Sequence, residues 1–255
     1  MDYKPRDGDI FVVTYPKCGT NWTTFIVYNI LSRGKEVSSV VEFRQLCPFI
    51  DMSGAGAAMN PSRRGPIVTH LPLEVFPPVD NAKYIYVARN PYDCAVVYGD
   101  YFDHLLPWYE RRNEGNVLFL TYEQLKADTR AAVLKLADFL GEDHGATLRE
   151  DDALLEKVLY ACSLENMKLF LSETPVGVKK LFEKTSEKSA AAEKMNNRTT
   201  ELVEMHEGSG FVRKGIVGDW KNYFTEDQIK ETKEWIARKT QGSDVMTLWS
   251  DCYMP

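Results

Sequence analysis

The sequence predicts an α/β fold, a mainly parallel sheet covered by helices on both faces, and three observations carry that prediction. Short apolar runs rich in β-branched and aromatic residues recur at 10–13, 67–69, 84–88 and 117–120. Stretches with apolar residues at helical spacing separate them, beginning with Phe25, Ile26, Ile30 and Leu31. That alternation buries each strand on both sides. The first strand also runs into a tight lysine-bearing turn that opens a helix, the layout of a P-loop-like nucleotide-binding core. With 255 residues the chain suits one large domain over 1–255.

In order, Ile10-Phe11-Val12-Val13 is the first strand, and Thr14 to Trp22 link it to the helix carrying Phe25 and Ile30. Ser53 to Ala58 read as a loop of small residues, followed by the strand Ile67-Val68-Thr69. Tyr84 to Ala88 and Val117 to Leu120 are the next two strands, with aromatic-rich helical sequence between them. Asp128-Thr129 caps a helix that runs to Leu140 and stops at Gly141. Leu154, Leu155, Val158 and Leu159 mark another amphipathic helix. From Val178 to Glu201 the chain is polar and lysine-rich with acidic residues interleaved, a solvated helix or excursion rather than a basic patch. A surface-type helix spans Ile229 to Ala237.

The composition narrows the function classes. Apolar residues make up 44% and charged residues 27%, an ordinary globular balance. A net charge of -6 argues against a nucleic-acid or anionic-membrane partner, so an anion site here is a local positive pocket. Cys18, Cys47, Cys94, Cys162 and Cys252 fit neither a disulfide framework nor a zinc spacing, which points to a reducing compartment. No run approaches a membrane span and Met1 to Pro5 open no signal peptide, so the expected location is cytoplasmic.

Four segments carry chemistry. Tyr15-Pro16-Lys17-Cys18-Gly19-Thr20-Asn21-Trp22 sits at a strand-to-helix junction, where unpaired helix amides and Lys17 meet an anion; the plain alternative is a helix start with an ordinary lysine. Lys17 precedes Gly19, so this is no Walker A sequence and an ordinary ATP site is disfavoured. Arg89 follows directly on a strand, in Val87-Ala88-Arg89-Asn90-Pro91-Tyr92-Asp93, where a second phosphate can be clamped or a structural pair with Asp93 can form. Arg213-Lys214-Gly215 offers side-chain and backbone donors together, and Gly218 permits a turn. His70 ends the second strand and, with an ordinary pKa of about 6.5, is available as a base at neutral pH. His104, His144 and His206 have no comparable context and read as surface or structural.

These segments resemble the cytosolic sulfotransferase family. Its donor loop usually reads Tyr-Pro-Lys-Ser-Gly-Thr-Thr-Trp, its 3′-phosphate motif Val-Ala-Arg-Asn-Pro-x-Asp, its catalytic motif Lys-Thr-His-Leu-Pro and its late signature Arg-Lys-Gly-x-x-Gly-Asp-Trp-Lys-Asn. The last matches 213–222 at every fixed position, and the likeness runs from Gly8 to about Thr225. The resemblance implies a PAPS-dependent sulfotransferase (donor 3′-phosphoadenosine 5′-phosphosulfate, product 3′,5′-adenosine bisphosphate, PAP) acting on a small phenol, catecholamine or sterol, with no metal. It implies His70 and Lys17 as catalytic residues. Lys17, Cys18, Gly19, Thr20, Asn21 and Trp22 would hold the 5′ side; Arg89, Phe211, Val212, Arg213, Lys214 and Gly215 the 3′-phosphate; Trp22, Tyr122, Ser163 and Met167 the adenine. Trp22 and Tyr122 equally suit a core, and Ser163 a helix N-cap.

Departures from the family pattern fall in the same places. Val97 stands where the Arg89 motif ends in a serine, and the chain looks spliced between Ala95 and Tyr98. Val68 replaces a lysine, Leu164 a phenylalanine and Cys18 a serine. The family's dimer motif is half present at Lys221 to Lys230, which leaves a monomer or weak homodimer. A P-loop phosphotransferase and a catalytically impaired PAP-binding protein are the rival readings.

Overall fold

Alternate residues of the two central strands face opposite cores, which is why the strands are apolar throughout. The computed structural model describes residues 3–94, 100–172 and 215–255. Strands β1 (Ile10–Thr14), β2 (Ile67–Thr69), β3 (Lys83–Ala88) and β4 (Val117–Thr121) form a parallel sheet in the order β2-β1-β3-β4. Val12 lies opposite Val68 on one side and Ile85 on the other. Phe11, Val13, Tyr84 and Tyr86 enter one core; Val12, Ile85 and Val87 enter the other.

The helices are α1 (Thr20–Ser32), α2 (Val40–Leu46), α3 (Ile50–Ser53), α4 (Ala55–Ala58), α5 (Pro91–Cys94) and α6 (Tyr101–Glu110). Then come α7 (Tyr122–Ala127), α8 (Thr129–Leu140), α9 (Glu142–Glu150), α10 (Asp152–Ala161), α11 (Leu164–Ser172) and α12 (Glu226–Lys239). Ile26 of α1, Leu136 of α8 and Val158 of α10 cover one face; Leu105 and Trp108 of α6, Ile236 of α12 and Trp249 cover the other. None of the helices among the described residues is long and apolar enough to cross a membrane.

Local signals placed several ends correctly. The Asp128 carboxylate accepts from the Ala131 amide at 2.9 Å, and α8 stops at Gly141 as expected. The last helix is longer than the 229–237 expected, because Thr225 and Gln228 close a capping box that starts it earlier. Ser53 to Ala58 is not a plain loop: α3 and α4 are two single helical turns. Alanines favour the turn, and Gly54, at φ 74°, breaks the pair.

Candidate active site

In an open parallel sheet ligands collect at the carboxyl edge, beside the strand where connections change direction. That edge is where the sequence motifs meet. The lysine loop follows β1, and His70, Arg89 and Tyr122 are the residues directly after β2, β3 and β4.

The loop turns tightly. The Cys18 amide donates to the Tyr15 carbonyl at 3.2 Å, and Lys17 and Gly19 both take left-handed backbone, at φ 71° and 96°. Gly19 is the N-cap of α1, with no side-chain cap and no acidic residue in the first turn. A Cβ on Gly19 would stand 2.9 Å from the Tyr122 ring. Gly19→Ala therefore combines backbone strain with a displaced ring, and is expected to cost about 1–2 kcal/mol; an unchanged Tm would refute this.

The loop's side chains are turned to protein partners. Cys18 is fully buried, its thiol donating to the Pro16 carbonyl at 3.9 Å. Thr20 Oγ1 lies 2.7 Å from Thr14 Oγ1, and Asn21 Oδ1 accepts from Arg44 at 2.8 Å. Trp22 Nε1 donates to the Cys162 carbonyl at 3.0 Å, and its ring meets Tyr122 edge-on at 5.5 Å. Lys17 is exposed.

Arg89 ties the loop to the late glycine turn. Its Nη1 donates to the Lys17 carbonyl at 3.0 Å, its Nη2 to the Ile216 carbonyl at 3.2 Å, and the guanidinium lies 4.3 Å over the Tyr122 ring. The structural pair with Asp93 is present, at 3.5 Å. Asp93 itself accepts from the Gly218 amide at 2.8 Å and the Trp220 amide at 3.2 Å, so it seats the turn. Asp93→Ala leaves those amides without that acceptor and is expected to cost about 1–3 kcal/mol, read as a lower Tm; a wild-type melt would refute it. Gly215, at φ 64°, packs where a Cβ would stand 3.1 Å from Leu164. Phe211, Val212, Arg213, Lys214 and the stretch around Val97 lie outside the described residues.

His70 is held from several sides. Its Nδ1 is 2.6 Å from the Thr14 carbonyl oxygen; a carbonyl only accepts, so Nδ1 bears the proton and Nε2 the lone pair. Burial lowers its pKa to about 4 against that bond, and the charges of Arg44 and Lys17 push the same way. The ring is therefore neutral at physiological pH. Its backbone amide donates to Asp51 at 2.6 Å. His104 is buried rather than at the surface: Nδ1 accepts from Tyr86 Oη at 2.8 Å and Nε2 donates to the His70 carbonyl at 3.2 Å.

Two further expected site residues, Ser163 and Met167, stand just before and within α11. Ser163 Oγ accepts from the Asn166 amide at 3.2 Å, which makes it the N-cap of α11. Met167 is 3% exposed and packs in the core that α1 covers. Asp51 carries no motif, and sequence reading missed its part in the site as it did the contact from His104.

A ligand with two anionic groups fits these residues. The buried Nε of Arg89 has no partner among the described residues, and Gly19 and Gly215 keep the backbone bare on either side of Tyr122.

Comparison with known proteins gives a consistent answer. A family model described as "Sulfotransferase domain" matches residues 7–96 and 95–244, two pieces that meet where the Arg89 motif breaks off. The 3-beta-hydroxysteroid sulfotransferase of Cavia porcellus is 32% identical, over 97% of this chain and 89% of its own length. The amine sulfotransferase of Oryctolagus cuniculus is 30% identical, over 97% and 86%. Among solved structures, mouse sulfotransferase SULT7A1 complexed with PAP is similar with a TM-score of 0.65 and 27% identity, covering 96% of this chain and 90% of that one.

Proposed function

We propose a reaction on the premise that this chain belongs to the sulfotransferase domain family: it moves a sulfuryl group from PAPS to a hydroxyl or amine of a small acceptor. The observation that carries the reading is the His70 ring, neutral and with its proton on the Nδ1 that faces Thr14, beside an anion loop. PAPS, when bound, supplies the sulfuryl group on its 5′-phosphate.

Lys17 and the amides of Gly19 to Trp22 would hold that phosphate. Arg89 and Gly215, with Phe211, Val212, Arg213 and Lys214, would hold the 3′-phosphate, and Trp22 and Tyr122 would flank the adenine. His70 Nε2 takes the acceptor's proton as its oxygen or nitrogen attacks sulfur. Lys17 offsets the negative charge that grows on the departing phosphate oxygen, so positioning and fixed charge do most of the work. The hydroxysteroid and amine relatives support sterols and amines as the acceptor class. In this reading the chain works in the cytoplasm as a monomer or weak homodimer, a setting that its five free cysteines suit.

The test is transfer of radiolabelled sulfate from PAPS to a panel of phenols, catecholamines and hydroxysteroids. Label on at least one acceptor is the expected result. PAP binding with no transfer to any of them would leave a nucleotide-binding protein instead.

A further inference from the structure

The base that takes the acceptor's proton must become positively charged, yet its surroundings resist that charge. Burial acts most against a proton on His70, and the charges of His104 of α6, Arg44 of α2 and Lys17 of the loop act with it. The Thr14 carbonyl of β1 accepts from the ring, and His104 donates to the backbone carbonyl of residue 70. A carboxylate reaches the backbone of the same residue. Asp51, on α3, accepts from Thr69 Oγ1 through Oδ1 at 2.5 Å and from the His70 amide through Oδ2 at 2.6 Å. Thr69 Oγ1 accepts in turn from the Leu71 amide at 3.0 Å, so the whole end of β2 is tied to one carboxylate.

We infer that Asp51 is a positioning residue for His70: it clamps the strand end that presents the ring and supplies the negative charge that offsets Lys17 and Arg44 when the ring takes a proton. Two short bonds to an anion hold the 69–70 peptide more firmly than neutral ones do. The charge acts through a low-dielectric interior, where it favours the imidazolium more than it would in water. This inference rests on the reading of His70 as the base.

Burial lifts the Asp51 pKa to about 6 against the bonds from Thr69 and His70. Asp51 is thus ionised at neutral pH and loses its charge just below it. Sulfuryl transfer should fall as pH drops through about 6, before His70 itself titrates near about 4.

Asp51→Asn in the full chain separates charge from frame, because the amide can still accept from the His70 amide and donate to Thr69 Oγ1. The expected result is a drop in kcat of roughly 10- to 100-fold with PAP affinity and Tm near wild type, and loss of the acid limb near pH 6. Turnover within about twofold of wild type, or an unmoved acid limb, would overturn the inference. Should Asp51→Asn fail to bind PAP through misfolding, Thr69→Val decides: removing one donor from the carboxylate raises its pKa, so the acid limb moves to higher pH. An unmoved limb in that variant overturns the inference as well. If His70→Ala keeps its turnover, the functional reading fails; if His70→Ala is inactive while Asp51→Asn is normal, only the role of Asp51 fails.

Discussion

His70→Ala loses sulfuryl transfer while it still binds PAP. In the proposed mechanism the ring supplies the Nε2 lone pair that takes the acceptor's proton, a contribution of roughly 10²- to 10⁴-fold in kcat. The fold should tolerate the change, because the anchors from Asp51 and His104 reach the backbone of residue 70 rather than its ring. Steady-state rates with saturating PAPS, paired with calorimetric titration of PAP, separate the outcomes. Loss of PAP binding together with turnover would mean that the ring holds the donor loop in place through Thr14, and that its chemistry is incidental.

Arg89→Ala tests the proposed donor site itself. The guanidinium bridges the Lys17 and Ile216 carbonyls, lies over Tyr122 and keeps a buried Nε for which no described residue provides an acceptor. A charge-assisted bond to phosphate contributes about 1.5–3 kcal/mol, so PAP affinity should fall by roughly one to two orders of magnitude. Binding of 5′-AMP, which lacks the 3′-phosphate, should fall much less. Arg89→Lys should recover little, since a point charge cannot reproduce the fork. Equal losses for PAP and 5′-AMP would make Arg89 a strut between the loop and the glycine turn, not a 3′-phosphate ligand.

Much of this geometry was legible from local sequence. The four strands announce themselves by continuous apolar runs, because a parallel sheet buried on both faces leaves no polar side. His70, Arg89 and Tyr122 each sit one residue past a strand, so their motifs also gave their place on the sheet edge. Asp128 and Gly141 bounded α8 for reasons of backbone hydrogen bonding alone.

What escaped is set by contacts distant in sequence. Asp51 reaches Thr69 across 18 residues and His104 reaches His70 across 34, and neither lies in a periodic pattern or a motif. Cys18 takes the place of a family serine, yet its side chain turns into the core beside Cys94, an orientation that depends on the left-handed backbone at Lys17 and Gly19. Ser53 to Ala58 misread as a loop because small residues mark turns as readily as single helical turns. Ser163 fits the N-cap reading, and Met167 packs as a core residue would.

In the proposed mechanism the carboxyl ends of all four strands converge on one doubly phosphorylated nucleotide. A crystal structure of the PAP complex tests it most directly. The account predicts the 5′-phosphate on the amides of Gly19 to Trp22 beside Lys17, the 3′-phosphate on Arg89 and the turn at Gly215, and His70 Nε2 facing the vacated sulfuryl position. A nucleotide bound with its 3′-phosphate away from Arg89, or with His70 turned from the 5′-phosphate, would contradict it.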